Sequence, residues 1–320
     1  MAQKSLTTIL LIIIGLVLTG VIGYIAVSSQ PMDTGMPRDK YDKPKPITHL
    51  QDTSDGQGMK QPMAVAVGDK GLIYVTDTGN NRVQVYRPNG KATISFGKAG
   101  SQNGEFNYPY GILALENGHL LVADTGNYRI QEFTGTGEFV KIWLPSGEKI
   151  KPGMMTMDNK GLVYISDLAG QQILVSDSEG KILQVIPGVT ANLRFPQGLV
   201  VDSLSQIWVA DGGSFRVKVI NGAGELVKSL DGRGTLPKGS RFTMVRGLAM
   251  DNLGRIFVSE SLANRIRVLD ETGTELFMFS GKQAAGMLFP MGITIDQKSR
   301  IYIADRGNNR VQVWGYPLER

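Results

Sequence analysis

From residue 63 onward the chain alternates short apolar runs with turns rich in Gly, Asn and Asp. In one stretch Leu199-Val200-Val201 is followed by a polar turn at Asp202–Gln206, then by Ile207-Trp208-Val209-Ala210. A Gly-rich turn leads to Arg216-Val217-Lys218-Val219-Ile220, which alternates with the period of two expected of a half-buried strand. Asn221-Gly222-Ala223-Gly224 forms the next turn, and Glu225–Leu230 reads as a fourth strand. The same order runs through Val65–Val67, Leu72–Thr76, Val83–Tyr86 and Ala92–Phe96. Runs rich in Val, Ile and Tyr, broken by Gly, Asn and Asp, argue for strands and against helices.

The four-strand unit recurs. Pro62 precedes Asp77 by 15 residues, and the spacing repeats in Pro109–Asp124, Pro152–Asp167, Pro196–Asp211, Val245–Glu260 and Pro290–Asp305. Successive acids are 47, 43, 44, 49 and 45 residues apart. A period of roughly 40–45 residues marks a propeller blade, a small sheet that cannot bury both faces alone. Six such repeats predict an all-β fold, a six-bladed β-propeller of four-stranded blades. The last repeat stops after Val311–Trp314, one strand short. Ile47–Leu50 stands where a fourth strand would stand relative to Pro62, and it has no blade of its own. This N-terminal strand is expected to pair with the C-terminal one and close the ring, which removes an exposed edge.

The repeats resemble the NHL family. Asp77-Thr78-Gly79-Asn80-Asn81-Arg82-Val83-Gln84-Val85 looks like that family's blade signature, as does Asp305-Arg306-Gly307-Asn308-Asn309-Arg310-Val311-Gln312-Val313. The second repeat keeps Asp124-Thr125-Gly126-Asn127-Tyr128-Arg129. The fifth has Glu260 for aspartate but retains Asn264-Arg265, and the third, Leu168–Gln172, has no arginine. The resemblance covers roughly residues 45–320. It implies the propeller fold and leaves function open, because propellers of this family include RNA binders, extracellular sensor domains, scaffolds and amidating lyases.

Upstream of the repeats lies Leu6–Val27, an uncharged run of 22 residues. As helix it would be about 33 Å long, enough to span a bilayer. It exceeds the apolar segment of a signal peptide, so residues 1–5 read as a short tail, 6–27 as an uncleaved transmembrane anchor (the alternative is a signal peptide cleaved at the poor site Ala26-Val27-Ser28), 28–44 as a polar linker and 45–320 as the propeller. Lys4 before the run favours an extracytoplasmic, periplasmic or extracellular, propeller. Gly15, Thr19 and Gly23 form a small-residue stripe on one helical face, a pattern that permits close helix packing in lipid.

The net charge of +5 does not point to nucleic acid, since 34 basic and 29 acidic residues are dispersed along the chain. No nucleic-acid partner is expected, and the basic stretch Arg38–Lys45 suits anionic lipid headgroups. With no cysteine, disulfides and thiolate metal sites are ruled out.

In five of the six blades an arginine follows the acid by five residues. The pairs Asp77–Arg82, Asp124–Arg129, Asp211–Arg216, Glu260–Arg265 and Asp305–Arg310 are expected to clamp the turn between second and third strands. What differs between blades carries more functional information. The residue after each proline position should lie near the mouth of the central channel. Five side chains stand there: Met63, Tyr110, Gln197, Arg246 and Met291, with Gly153 in the third blade. Arg246, Tyr110 and Gln197 could grip a carboxylate or a peptide end.

Catalysis has little to draw on. His49 and His119 are the only histidines, too few for a three-histidine zinc site. The inner strands offer no acid for calcium, and no triad is recognisable. No cofactor or metal is therefore expected. The expected function is a membrane-anchored interaction module, an accessory or scaffold subunit of a larger membrane complex with a protein partner. The alternative is a metal-dependent hydrolase or lyase with its site at the channel mouth.

Overall fold

The computed structural model describes residues 35–37, 39–68, 70–145, 150–232, 241–280 and 286–317. Six four-stranded antiparallel sheets follow one another. Blade 1 holds β2 (Val65–Val67), β3 (Ile73–Asp77), β4 (Arg82–Tyr86) and β5 (Ala92–Phe96). Blade 2 runs from β6 (Pro109–Ala114) to β9 (Phe139–Leu144), and blade 3 from β10 (Pro152–Met157) to β13 (Ile182–Ile186). Blade 4 spans β14 (Pro196–Val201) to β17 (Leu226–Leu230), and blade 5 spans β18 (Val245–Met250) to β21 (Glu275–Phe279). Blade 6 joins β22 (Pro290–Ile295), β23 (Ile301–Asp305) and β24 (Arg310–Gly315) to the N-terminal β1 (Lys45–Leu50). The register sets Leu50 against Val311, His49 against Gln312 and Lys45 against Gly315.

The first strands pack side by side around the axis, each against the next, and β22 returns to β2. Glycine permits that approach. A Cβ on Gly292 would lie 2.8 Å from the Met63 carbonyl oxygen, the acceptor of the Gly292 N–H across the blade 6–blade 1 seam. The core is divided among six apolar clusters, one filling each interface between neighbouring blades. Hydroxyls stitch the same seams: Thr78 donates to the Pro109 carbonyl at 2.6 Å, Thr125 to Pro152 at 2.7 Å and Ser261 to Pro290 at 2.6 Å.

Within the expected linker 28–44, the described residues just upstream of β1 make contacts with the propeller. Gly35 N–H donates to the Tyr316 carbonyl at 2.9 Å. The Arg255 guanidinium, 1% exposed, donates to the carbonyls of Asp39, Lys40 and Asp42 and to the Tyr316 hydroxyl. Asp251 balances its charge at 2.6 Å. Carbonyl acceptors leave no trace in side-chain sequence, so this strap could not be read there. Among the described residues no helix is long and apolar enough to cross a membrane. The expected anchor Leu6–Val27, with Gly15, Thr19 and Gly23, lies outside them.

Candidate functional site

Prolines, acids and arginines of the repeat gather on one face, where each first strand begins and each second strand ends. The acids are fully buried beneath it. Asp124 accepts from Asn107 N–H at 2.7 Å, Asn127 Nδ2 at 2.9 Å, Arg129 Nε at 2.8 Å and Gln131 Nε2 at 3.0 Å. One carboxylate thus fixes both the turn and the loop that enters the blade. Asp77–Arg82 closes at 2.7 Å, Asp305–Arg310 at 2.8 Å and Glu260–Arg265 at 2.9 Å. Arg82 is further held by Asp55, whose carboxyl is lowered to about 2 by hydrogen bonds from the Thr53 hydroxyl and the Gln57 N–H, with Arg82 adding to them. In blade 5 the fully buried Arg267 joins at 2.8 Å. Burial alone would raise the Glu260 carboxyl, but hydrogen bonds from both arginines hold it below its ordinary value.

The expected Asp211–Arg216 clamp is not formed by side chains. Lys218 Nζ lies 2.8 Å from Asp211 Oδ2, while Arg216 is directed to Ser229 Oγ at 3.4 Å. Lys218 lies two residues along the same strand, on the face turned to the acid, where blades 1, 2 and 6 carry Gln84, Gln131 and Gln312. Its buried ammonium neutralises the carboxylate without help from Arg216. In blade 3, Gln172 Nε2 donates to Asp167 at 2.9 Å in place of an arginine.

Above this frame opens a cavity of about 760 Å³. Met63, Tyr110, Arg246 and Met291 line it as the residue after each proline position should, but Gln197 does not. Gln197 is fully buried and accepts a hydrogen bond from the Tyr110 hydroxyl. Blades 2 and 4 meet in this bond across blade 3, where Gly153 presents no side chain. Met63, Tyr110, Gln197 and Met291 are at most 5% exposed, forming a floor over a separate channel of about 270 Å³. Aliphatic residues such as Ala64, Ile112, Leu199 and Ile293 line that channel. Burial pushes the Tyr110 hydroxyl up to about 12, with the nearby Arg246 guanidinium opposing the shift.

The rim was not anticipated. Tyr108, Phe195 and Phe289 line the cavity and are each 41% exposed. Each immediately precedes a proline and adopts a left-handed backbone, with φ of 56°, 62° and 50°. That region is costly for bulky residues and disfavoured before proline. Asn81 Oδ1 holds the Tyr108 N–H at 2.8 Å, Asn264 Oδ1 holds Phe289 at 2.9 Å and Asn309 Oδ1 holds Gln61 at 2.9 Å. The signal lay one residue upstream of the positions considered, in the same 15-residue frame. Arg246 lies 5.8 Å from the Phe195 ring centre. Lys151 and Arg306 complete the cationic lining, which includes no carboxylate.

Comparison with known proteins finds repeats of a known family in this chain. The NHL repeat matches residues 60–86, 106–133, 193–220 and 287–314. The chain thus carries NHL repeats in four of the six blades of its β-propeller. It is 24% identical over 155 residues to Protein brain tumor of Drosophila melanogaster, a match covering 46% of this chain and 15% of that protein. The chain thus matches a small part of its curated relative. The fold is similar to that of virginiamycin B lyase from Staphylococcus aureus, at 15% identity and a TM-score of 0.59 over 90% of this chain and 96% of that one. A gluconolactonase from Xanthomonas campestris gives 15% identity and a TM-score of 0.63 over 90% and 99%. The Nidogen/Laminin complex gives 18% and 0.57 over 73% and 84%. At these identities the likeness speaks for the fold alone.

Proposed function

We propose that this NHL propeller is a protein-interaction module whose partner docks at the mouth. We further propose that it is an accessory or scaffold subunit of a membrane complex, tethered through Leu6–Val27 on the extracytoplasmic side. The carrying observation is the rim: three exposed aromatic side chains kept on strained backbone around an open, cationic cavity. Strain of about 1–3 kcal/mol per residue persists where the surroundings over-determine it, commonly at ligand-binding positions. Aromatic and arginine side chains dominate interface hot spots. Among the described residues no three His, Asp or Glu side chains cluster closely enough to hold a metal ion. Support for the tether comes from the length of the uncharged run and from the Arg255 strap, which ties the incoming chain to the face opposite the mouth.

The test is capture of partners by the full chain in mild detergent, comparing wild type with the Tyr108→Ser, Phe195→Ser, Phe289→Ser triple variant. Recovery of the partner should fall at least about tenfold, a hot-spot loss, while the melting temperature stays within a few degrees. Equal recovery would move docking away from the mouth. Protease added outside spheroplasts should digest the propeller, and full protection would refute the extracytoplasmic placement.

A further inference from the structure

The turns joining first to second strands lie at the end opposite the mouth, and four of them are built alike. In each, an aspartate engages both of its oxygens within the protein. Asp158 accepts from the N–H groups of Lys160 and Leu162, both at 2.9 Å, and from the Tyr164 hydroxyl at 3.1 Å. Asp202 accepts from the N–H groups of Leu204 and Gln206 and from the Trp208 indole, all at 2.9 Å. Asp251 and Asp296 repeat the scheme with the guanidinium groups of Arg255 and Arg300, both at 2.7 Å. The carboxylates are thereby folded into the blades, and the tips expose Lys160, Leu204, Leu253 and Lys298. Leu204 is 75% exposed and Leu253 41%. The strap crosses blade 5 at the same end, where Arg255, two residues after Leu253, holds the carbonyls of Asp39, Lys40 and Asp42. It adds Met36 and Tyr41 to the exposed apolar side chains, with Lys40 and Lys43 exposed beside them. Exposed apolar side chains collected at one end of a molecule mark a contact site for protein or membrane.

Resting on the reading of Leu6–Val27 as a membrane tether, we propose that this end of the propeller sits on the lipid surface. Leu204, Leu253, Met36 and Tyr41 dip into the headgroup region, and the mouth is turned away from the bilayer. Chain length favours this seat. Residues 28–34 separate the apolar run from Gly35, whose N–H is fixed on the Tyr316 carbonyl. Fully extended, that connection reaches about 28 Å at most. A mouth-down propeller would use about 20 Å of it along a six-residue strand such as β18, before the turns at either end are counted. The side chains suit an interface: tyrosine keeps its hydroxyl in the headgroups while its ring leaves water, and lysines extend to the lipid phosphates. Exposed acids such as Glu116, Glu225 and Glu271 share this end, so the apolar tips rather than net charge carry the contact. The partner then meets the mouth in the aqueous compartment.

The test exploits the absence of cysteine, which lets a single introduced thiol be labelled. Full-length protein carrying Leu204→Cys, Leu253→Cys or Leu262→Cys is labelled with a nitrobenzoxadiazole fluorophore. Leu262 lines the mouth cavity, is 56% exposed and serves as the control. Each protein is reconstituted in vesicles of phosphatidylcholine and phosphatidylglycerol and floated on a density gradient. Lipids with a nitroxide on the acyl chain should quench the labels at 204 and 253 at least about threefold more than the label at 262, as expected of groups held about 5–10 Å into the headgroup–acyl boundary. Leu253→Cys decides alone if Leu204→Cys fails to fold. Equal quenching at all three positions, stronger quenching at 262, or quenching at none overturns the inference, while flotation of the same protein leaves the tether standing. A full chain that does not float with the vesicles refutes the tether itself, and the inference falls with it.

Discussion

Replacing Asp124 with alanine removes one carboxylate and four hydrogen bonds at once. Asp124 is fully buried, and Arg129, its charged partner, is 9% exposed. After the substitution Arg129 still donates to the carbonyls of Gln102 at 2.7 Å and Glu105 at 3.1 Å, but its charge is no longer balanced. Breaking a buried ion pair on one side costs about 3–5 kcal/mol, because the remaining charge stays desolvated. Blade 3 is the internal control. Asp167 accepts only from neutral donors, Lys151 N–H at 2.9 Å, Ala169 N–H at 3.1 Å and Gln172 Nε2 at 2.9 Å. Its loss orphans no charge and should cost about 1–3 kcal/mol. Urea unfolding should therefore rank Asp124→Ala as more damaging than Asp167→Ala. Equal midpoints, or a cost for Asp124→Ala below about 1 kcal/mol, would refute the argument that the arginine charge sets the magnitude.

Truncation should separate strap from strand: removing residues 1–34 should leave the melting temperature unchanged, removing 1–43 should lower it by freeing Arg255, and removing 1–52 should lower it most. Equal melting of the first and last truncations would contradict closure by β1. In acid, Asp55 and Glu260 have folded-state values below their ordinary 3.8 and 4.5. Their contribution is thus present above those ordinary values and is lost as pH falls through the folded ones. The loss begins below about pH 4.5 and extends towards about 2 for Asp55. Glu260→Gln should flatten the acid limb of an unfolding titration, and an unchanged limb would refute the assignment. Tyr110→Ala should lower stability by about 3–5 kcal/mol, because it empties a site in the core between blades 1 and 2. Capture experiments are better aimed at the exposed rim, and a Tyr110→Ala protein that melts like wild type would show the floor to be loosely packed.

The repeat frame made the fold legible because blade spacing, turn residues and the missing last strand all point to one closed ring. Most clamps were legible for the same reason, since Asp and Arg face each other across a turn of fixed length. Asp211 shows where such reading ends: Lys218, an unremarkable residue in an alternating strand, takes the partner position because strand geometry turns it to the acid. Gln197 shows a second limit. Its contact with Tyr110 spans 87 residues and depends on a missing side chain at Gly153, which pattern reasoning cannot weigh. Tyr108, Phe195 and Phe289 escaped because an aromatic before proline reads as an ordinary loop residue until its left-handed φ is known.

The mouth is unevenly latched, and this bears on how a partner can sit on it. The left-handed residue of the second-to-third-strand turn is Asn81, Asn264 or Asn309 in blades 1, 5 and 6, each holding a backbone N–H of the next blade. In blades 2, 3 and 4 it is Tyr128, Gln171 and Phe215, at φ of 56°, 52° and 55°. Asparagine combines tolerance of this backbone region with a side chain short enough to reach across. Gln171 faces the segment carrying Phe195, so Gln171→Asn should supply the latch that Asn81 supplies to Tyr108. The gain should be about 0.5–1.5 kcal/mol, one hydrogen bond, plus relief of backbone strain. A lower melting temperature for Gln171→Asn would refute the latch. If partner binding uses movement of Phe195, the stabilised variant should capture the partner less well. A partner recognising this unequal rim has a single orientation available, which calls for one partner per propeller. Two or more copies per propeller in the captured complex would contradict docking at the mouth.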